Sequence, residues 1–171
     1  MFNKTTTHNH SRVKGKKMEL LAQSLSQFYE KDVVCLTIND TIFDAAKLML
    51  EKHIGDIVIT DENADRSPIP VGIITDRDIV VNSVAKKLDP ASVKLSAVMT
   101  EQLVTATEES SLTDLVQLMT DEGISRLPIV DSGGALVGIL SSKRIFQYFA
   151  QGLCELSSLT VRQQQREQDT H

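Results

Sequence analysis

Ile42, Ala45, Ala46 and Met49 stand at i, i+3, i+4 and i+7, a spacing that predicts one apolar helix face. Seventy residues later Leu112, Leu115, Val116 and Met119 repeat it. Each run opens on a hydroxyl residue with an acid three places on, Thr41 with Asp44 and Ser111 with Asp114. That is the pattern of a capping box with Asp in place of Glu. The offset of 70 holds for the apolar runs 57–59 and 127–129 and for Asp61 against Asp131. It then becomes 66, where 71–75 matches 137–141. The difference is a longer connection in the first copy. Gly133-Gly134 predicts a tight hairpin in the second copy, whereas residues 62–68 are polar and extended in the first.

Each copy therefore predicts strand, helix, strand, hairpin, strand, helix. The leading strands are 33–36 and 104–106, and the second helices open at 78–84 and 143–149. A helix over 18–29, with Leu21, Leu25 and Phe28 on one face, precedes the first copy, and 86–90 links the two. A copy of about 55 residues buries too little apolar surface to be secure alone. Two copies are best satisfied by packing sheet against sheet about a pseudo-twofold axis, with clefts where they meet. The expected fold is α/β (α+β), with two β-α-β-β-α repeats. The expected divisions are a basic arm (1–17), a first repeat with its leading helix (18–87), a second repeat (88–151), and a C-terminal helix with a frayed tail (152–171).

Composition narrows the class. The 171 residues are 41% hydrophobic and 24% charged, a globular balance. No run approaches the ~18–20 apolar residues of a membrane span, and residues 1–30 lack a secretory apolar core. The net charge of −5 argues against nucleic-acid binding over the whole surface. It is unevenly spread: Lys4, Arg12, Lys14, Lys16 and Lys17 fill an arm without acids. His8 and His10 lie on that arm, two solvated histidines rather than the three or four converging ligands of a metal site. Cys35 and Cys154 form no CxxC pair, which excludes a zinc ribbon or a disulfide scaffold and fits a cytoplasmic protein.

Residues 72–80, Gly-Ile-Ile-Thr-Asp-Arg-Asp-Ile-Val, resemble the "G-h-h-T-x-x-D-h" end of a CBS domain. Residues 125–131, Ser-Arg-Leu-Pro-Ile-Val-Asp, resemble its "R-h-P-V-h-D" strand, and 95–100, Leu-Ser-Ala-Val-Met-Thr, its lead-in to a second copy. The chain is thus similar to a tandem CBS pair, a free-standing Bateman module of bacterial type, over about residues 20–150. The resemblance implies an adenosine ligand (AMP, ADP, ATP or S-adenosylmethionine) bound by the Thr and Asp of "T-x-x-D", here Thr75 and Asp78. A carboxylate accepts both ribose hydroxyls, a hydroxyl meets sugar or phosphate, and adenine slides between strand residues such as Ile57 and Val58. Arg77 or Arg126 would face phosphates. Thr75 and Asp78 equally fit a capping box for the following helix, and Arg126 equally fits an ion pair.

The second copy departs from the motif. Ser141 keeps the hydroxyl, but Arg144 replaces the acid and cannot accept ribose protons. Arg144 either fills that cleft or, with Lys143, leaves a degenerate, phosphate-only site. Asp56 stands where the second copy has Arg126, so acid on one side of a cleft (Asp56, Asp78) is expected to face base on the other (Arg126, Lys143, Arg144). Phosphate-loop, dinucleotide and nucleophile-elbow motifs are absent, and His53 falls at a helix end, so no enzyme is expected. Phe43, Leu50 and Ile54 are spare apolar residues for a homodimer, the assembly the resemblance implies. Phe146, Phe149, Leu153 and Leu156 form a further seam, for a dimer or partner helix or to cover their own sheet. The expected function is sensing an adenosine ligand, with no required cofactor, and signalling to a protein effector by conformational change. The alternative is a structural interaction protein with vestigial sites. No nucleic acid or membrane partner is expected.

Overall fold

The computed structural model describes residues 25–62, 67–99 and 102–168. The basic arm, both its histidines and the leading helix up to residue 24 lie outside them, as do residues 63–66 of the long connection.

The first repeat runs β1 (Cys35–Thr37), α1 (Ile42–Lys52), β2 (Asp56–Glu62), β3 (Pro68–Thr75) and α2 (Asp76–Ile79), which continues as a π-helical turn over Val80–Val84. The second runs β4 (Ala106–Thr107), α3 (Leu112–Asp121), β5 (Arg126–Val130), β6 (Leu136–Ser141) and α4 (Ser142–Gln168). Each repeat builds a three-stranded sheet, with a parallel pair joined across the helix and an antiparallel hairpin. The register slips after Ile59 and again after Ile129, its equivalent 70 residues on. The leading strands are later and shorter than the sequence predicts, starting at Cys35 and Ala106.

Local chemistry fixes the helix starts. Thr41 and Asp44 close a complete capping box, and the Ser111 hydroxyl accepts from the Asp114 N–H. His53 ends α1 in the left-handed region at φ 55°. The core face is rotated from the expected one. Ile42, Ala45 and Met49 are buried, but Ala46 is exposed and Leu48 packs against the core instead. In α3 Val116 likewise faces out and Leu118 faces in. A stripe centred on i+3 and i+7 takes i+6 rather than i+4 as its flank.

The two cores are cross-built. Leu25, Phe28 and Tyr29 precede the first repeat yet pack in the core of the second, with Leu115, Leu127 and Leu140. Leu95, Val93, Val98 and Met99 precede the second repeat yet pack on the first, with Ile42, Ile57 and Ile74. The leading helix, expected to belong to the first repeat, is thus in its described part built into the second. Backbone bonds secure both crossings: Glu30 and Ile139 exchange two at 2.9 Å, and the Leu95 N–H donates to the Asp40 carbonyl at 2.8 Å. Gly72 and Gly138 mark where the lead-ins lie against the sheets, under Met99 and Tyr29.

The last helix is longer than expected. α4 runs unbroken for 27 residues, about 40 Å at 1.5 Å per residue, through Gly152 and the glutamine run expected to fray. Phe146, Phe149, Leu153, Leu156 and Leu159 are each more than half exposed, so this seam does not cover its own sheet. No helix among the described residues is long and apolar enough to cross a membrane.

Candidate functional site

Strand alternation decides which residues can share a site. Asp56 pairs in register with Thr75, and Val58 with Ile73, so these four side chains lie on one face of the first sheet. Ile57 and Ile74 lie on the other, fully buried against α1. Ile57, expected beside an adenine, is therefore turned into the helix-packed core. Val58 is on the correct face but only 1% exposed. The second sheet repeats the arrangement, pairing Arg126 with Ser141 and Pro128 with Ile139.

At the end of β3 the chain turns into α2 through a complete capping box. The Thr75 hydroxyl accepts from the Asp78 N–H at 3.2 Å. Asp78 Oδ2 accepts from the Thr75 N–H at 2.9 Å and from its hydroxyl at 2.7 Å. Capping therefore occupies one carboxylate oxygen. Among the described residues Oδ1 has no hydrogen bond, and the side chain is half-buried. The Asp76 N–H donates to the Gly55 carbonyl at 3.0 Å, which holds the start of β2 against the helix start. Asp56 is thereby set beside the Thr75–Asp78 pair. Arg77 is exposed.

The expected acid-against-base cleft is closed by its own charges. Arg126 Nε donates to Asp56 Oδ2 at 2.6 Å and to Oδ1 at 3.0 Å. Its Nη1 donates to the Ser125 carbonyl at 3.1 Å. The two side chains are 32% and 17% exposed, a largely buried ion pair between equivalent positions of the two repeats. Unlike charge at these positions was legible in the sequence. That the pseudo-twofold axis brings them into contact with each other was not.

In the second repeat the Ser141 hydroxyl accepts from the Arg144 N–H at 3.2 Å, half of the first repeat's box. Arg144 turns away toward Glu30 of the crossed lead-in, 3.6 Å from Nη1, while its buried Nε has no partner among the described residues. Lys143 is exposed. Glu30 and Asp56, the partners of the two arginines, were not among the expected ligand residues. The Tyr29 hydroxyl donates to Glu108, and burial followed by that carboxylate pushes its pKa up to about 12. Burial also raises the Cys35 thiol, whereas Cys154 is exposed. A polar cleft formed by Thr37, Asn39, Thr60, Asp61 and Pro68 lies at the opposite end of the first sheet from Thr75. No group of three or more metal-ligating side chains occurs among the described residues.

The CBS domain family matches residues 25–84 and again 95–151, most of the chain and in register with the repeats. This chain belongs to the CBS-domain family. The CBS domain-containing protein YhcV of Bacillus subtilis is 37% identical over 64% of this chain and 73% of its own length. A protein of Methanopyrus kandleri, MK0525, is 36% identical over 72% of this chain, which spans only 61% of that relative. Among solved structures, the CBS domain pair of protein MJ0100, in complex with 5′-methylthioadenosine and S-adenosyl-L-methionine, is 27% identical with a TM-score of 0.65, covering 76% of this chain and 98% of that one. A tandem CBS pair is a ligand-binding architecture in that relative, and its two-repeat form is the one built here.

Proposed function

We propose that this CBS pair is a regulatory module that binds an adenosine-containing ligand at Thr75 and Asp78 and passes its occupancy to a protein effector. The observation that carries the reading is Asp78 itself. Its Oδ2 is engaged in the cap while Oδ1 has no hydrogen bond among the described residues, beside the face where the two repeats meet. A half-buried carboxylate with a free oxygen suits paired ribose hydroxyls, and the cap holds it in place. Candidate ligands are AMP, ADP, ATP and S-adenosylmethionine. The bound adenosine compounds of the MJ0100 pair support the class.

The module acts without catalysis in this reading. The second site is the degenerate one, because Arg144 stands in place of the acid and faces Glu30. A ligand between the repeats shifts their packing only by its differential affinity for two arrangements. We place the protein in the cytoplasm as a homodimer, with exposed Phe43 and Leu50 on α1 in the interface. Ile54, the third expected dimer residue, instead packs on the first core.

A thermal-shift screen tests the function. A ligand at 100 times its Kd stabilises by about 2.7 kcal/mol, so a true ligand raises Tm clearly at millimolar concentration. In Asp78→Ala the rise should shrink to about half or less, about 0.3–1.4 kcal/mol at the same ligand concentration, compared increment with increment because loss of the cap lowers the starting Tm. No shift with any adenosine compound would leave the structural, interaction-only function as the better account.

A further inference from the structure

The Asp56–Arg126 pair bears on which adenosine compound fits. We propose that this ion pair selects ligand charge at the Thr75–Asp78 site, admitting an adenosine with an uncharged or cationic 5′ group, a thioether or sulfonium, over a di- or triphosphate. The inference rests on the adenosine reading of that site and narrows it.

A polyphosphate needs unspent cations. The register sets Arg126 at the site, because its partner Asp56 is cross-strand to Thr75 and on the same face. Its guanidinium is already held by both oxygens of Asp56, at 2.6 and 3.0 Å, and by the Ser125 carbonyl. Among the described residues Nη2 remains open to a phosphate, but the cation it belongs to is neutralised by a carboxylate only 17% exposed, and drawing it away would leave that charge buried and unpaired. Arg144, the next candidate, faces Glu30. With Asp56 and Arg126 cancelling, the start of α2 itself sets Asp76 and Asp78 against Arg77. The local balance is negative. It repels a chain of phosphates and accepts a neutral thioether or a sulfonium.

Calorimetric titration of the full chain with 5′-methylthioadenosine, S-adenosylmethionine and ATP tests this, in wild type, Asp56→Asn and Arg126→Gln. In wild type the thioether and sulfonium compounds should bind at least ~10-fold tighter than ATP, the lower end for one charged hydrogen-bond contact. Asp56→Asn frees the guanidinium and should move the ATP-to-thioether affinity ratio ~10-fold or more toward ATP. Arg126→Gln leaves Asp56 uncovered and should move it the other way, so the two variants diverge even if both lose stability. Tighter binding of ATP than of the thioether by wild type, or a ratio that moves the same way in both variants, would overturn the selector while leaving the adenosine site standing. Binding of none of the three by wild type would overturn both.

Discussion

Replacing Gly138 by alanine should damage the protein far more than the equivalent change at Gly72. An alanine Cβ at Gly138 would sit 2.0 Å from Tyr29 Cδ2, 2.5 Å from Cε2 and 2.9 Å from the Glu30 carbonyl oxygen. Carbon atoms rest at about 3.5–4.0 Å, so the ring must retreat by about 1.5 Å. It has nowhere to go. Tyr29 is 3% exposed, its hydroxyl is bonded to Glu108, and the next residue is tied to Ile139 by two backbone bonds. Overpacking alone costs about 1–3 kcal/mol. Losing the two backbone bonds adds about 0.5–1.5 kcal/mol each. The expected loss is about 3–5 kcal/mol, or about 6–20 °C in Tm for a chain of this size. At Gly72 the nearest atom is Met99 Sδ at 2.7 Å, part of a flexible side chain that can rotate away, so about 1.5 kcal/mol or less is expected. Urea melts followed by circular dichroism give both values. A Tyr29→Ala background should relieve most of the Gly138→Ala penalty, the non-additivity expected of residues in contact. Equal losses at the two glycines, or an additive double mutant, would refute the crossed packing of the lead-in.

Three further outcomes follow from named groups. Tyr29 is protonated in the fold and its pKa is raised from 10.0 to about 12, so its contribution to stability is full below pH ~10 and lost as pH rises toward about 12. Tyr29→Phe should flatten the stability–pH curve in that window, and an unchanged slope would contradict the assignment. Arg144→Asp should release Glu30 and restore an acid after Ser141, so a second, weaker adenosine site per chain is expected by titration; a worsened first site instead would mean that the two sites are coupled through the lead-in. Sedimentation should give about twice the chain mass of 18.9 kDa, and Leu50→Glu, at a side chain 74% exposed, should shift it toward one chain with a loss of folding stability no greater than about 1 kcal/mol; a wild-type mass of one chain would refute the dimer.

The repeat made most of the fold legible. Two helices with the same spacing, two hydroxyl–acid starts and a Gly-Gly hairpin set the strand–helix–strand–strand order, because these signals are local. Helix faces were legible only to within one position: Ala46 and Leu48 differ by a choice that the opposing sheet makes. The crossed lead-ins were illegible for a plainer reason. Nothing in the composition of 25–30 or 93–99 says which of two similar sheets each will cover. At the site, Thr75, Asp78 and the misfit Arg144 could be found by spacing. The opposite charges of Asp56 and Arg126 were legible there as well, but that these equivalent positions touch depends on how the two sheets pack. Ile57 was misplaced by one residue of a period-two strand, which is the difference between cleft and core.

Calorimetric titration of 5′-methylthioadenosine into wild type and Asp78→Ala tests the central claim most directly. The account predicts one ligand per chain in wild type, and an affinity about 10–150-fold lower in Asp78→Ala, the loss of one charged hydrogen-bond acceptor. Two equivalent sites per chain, or an affinity unchanged by Asp78→Ala, would contradict it.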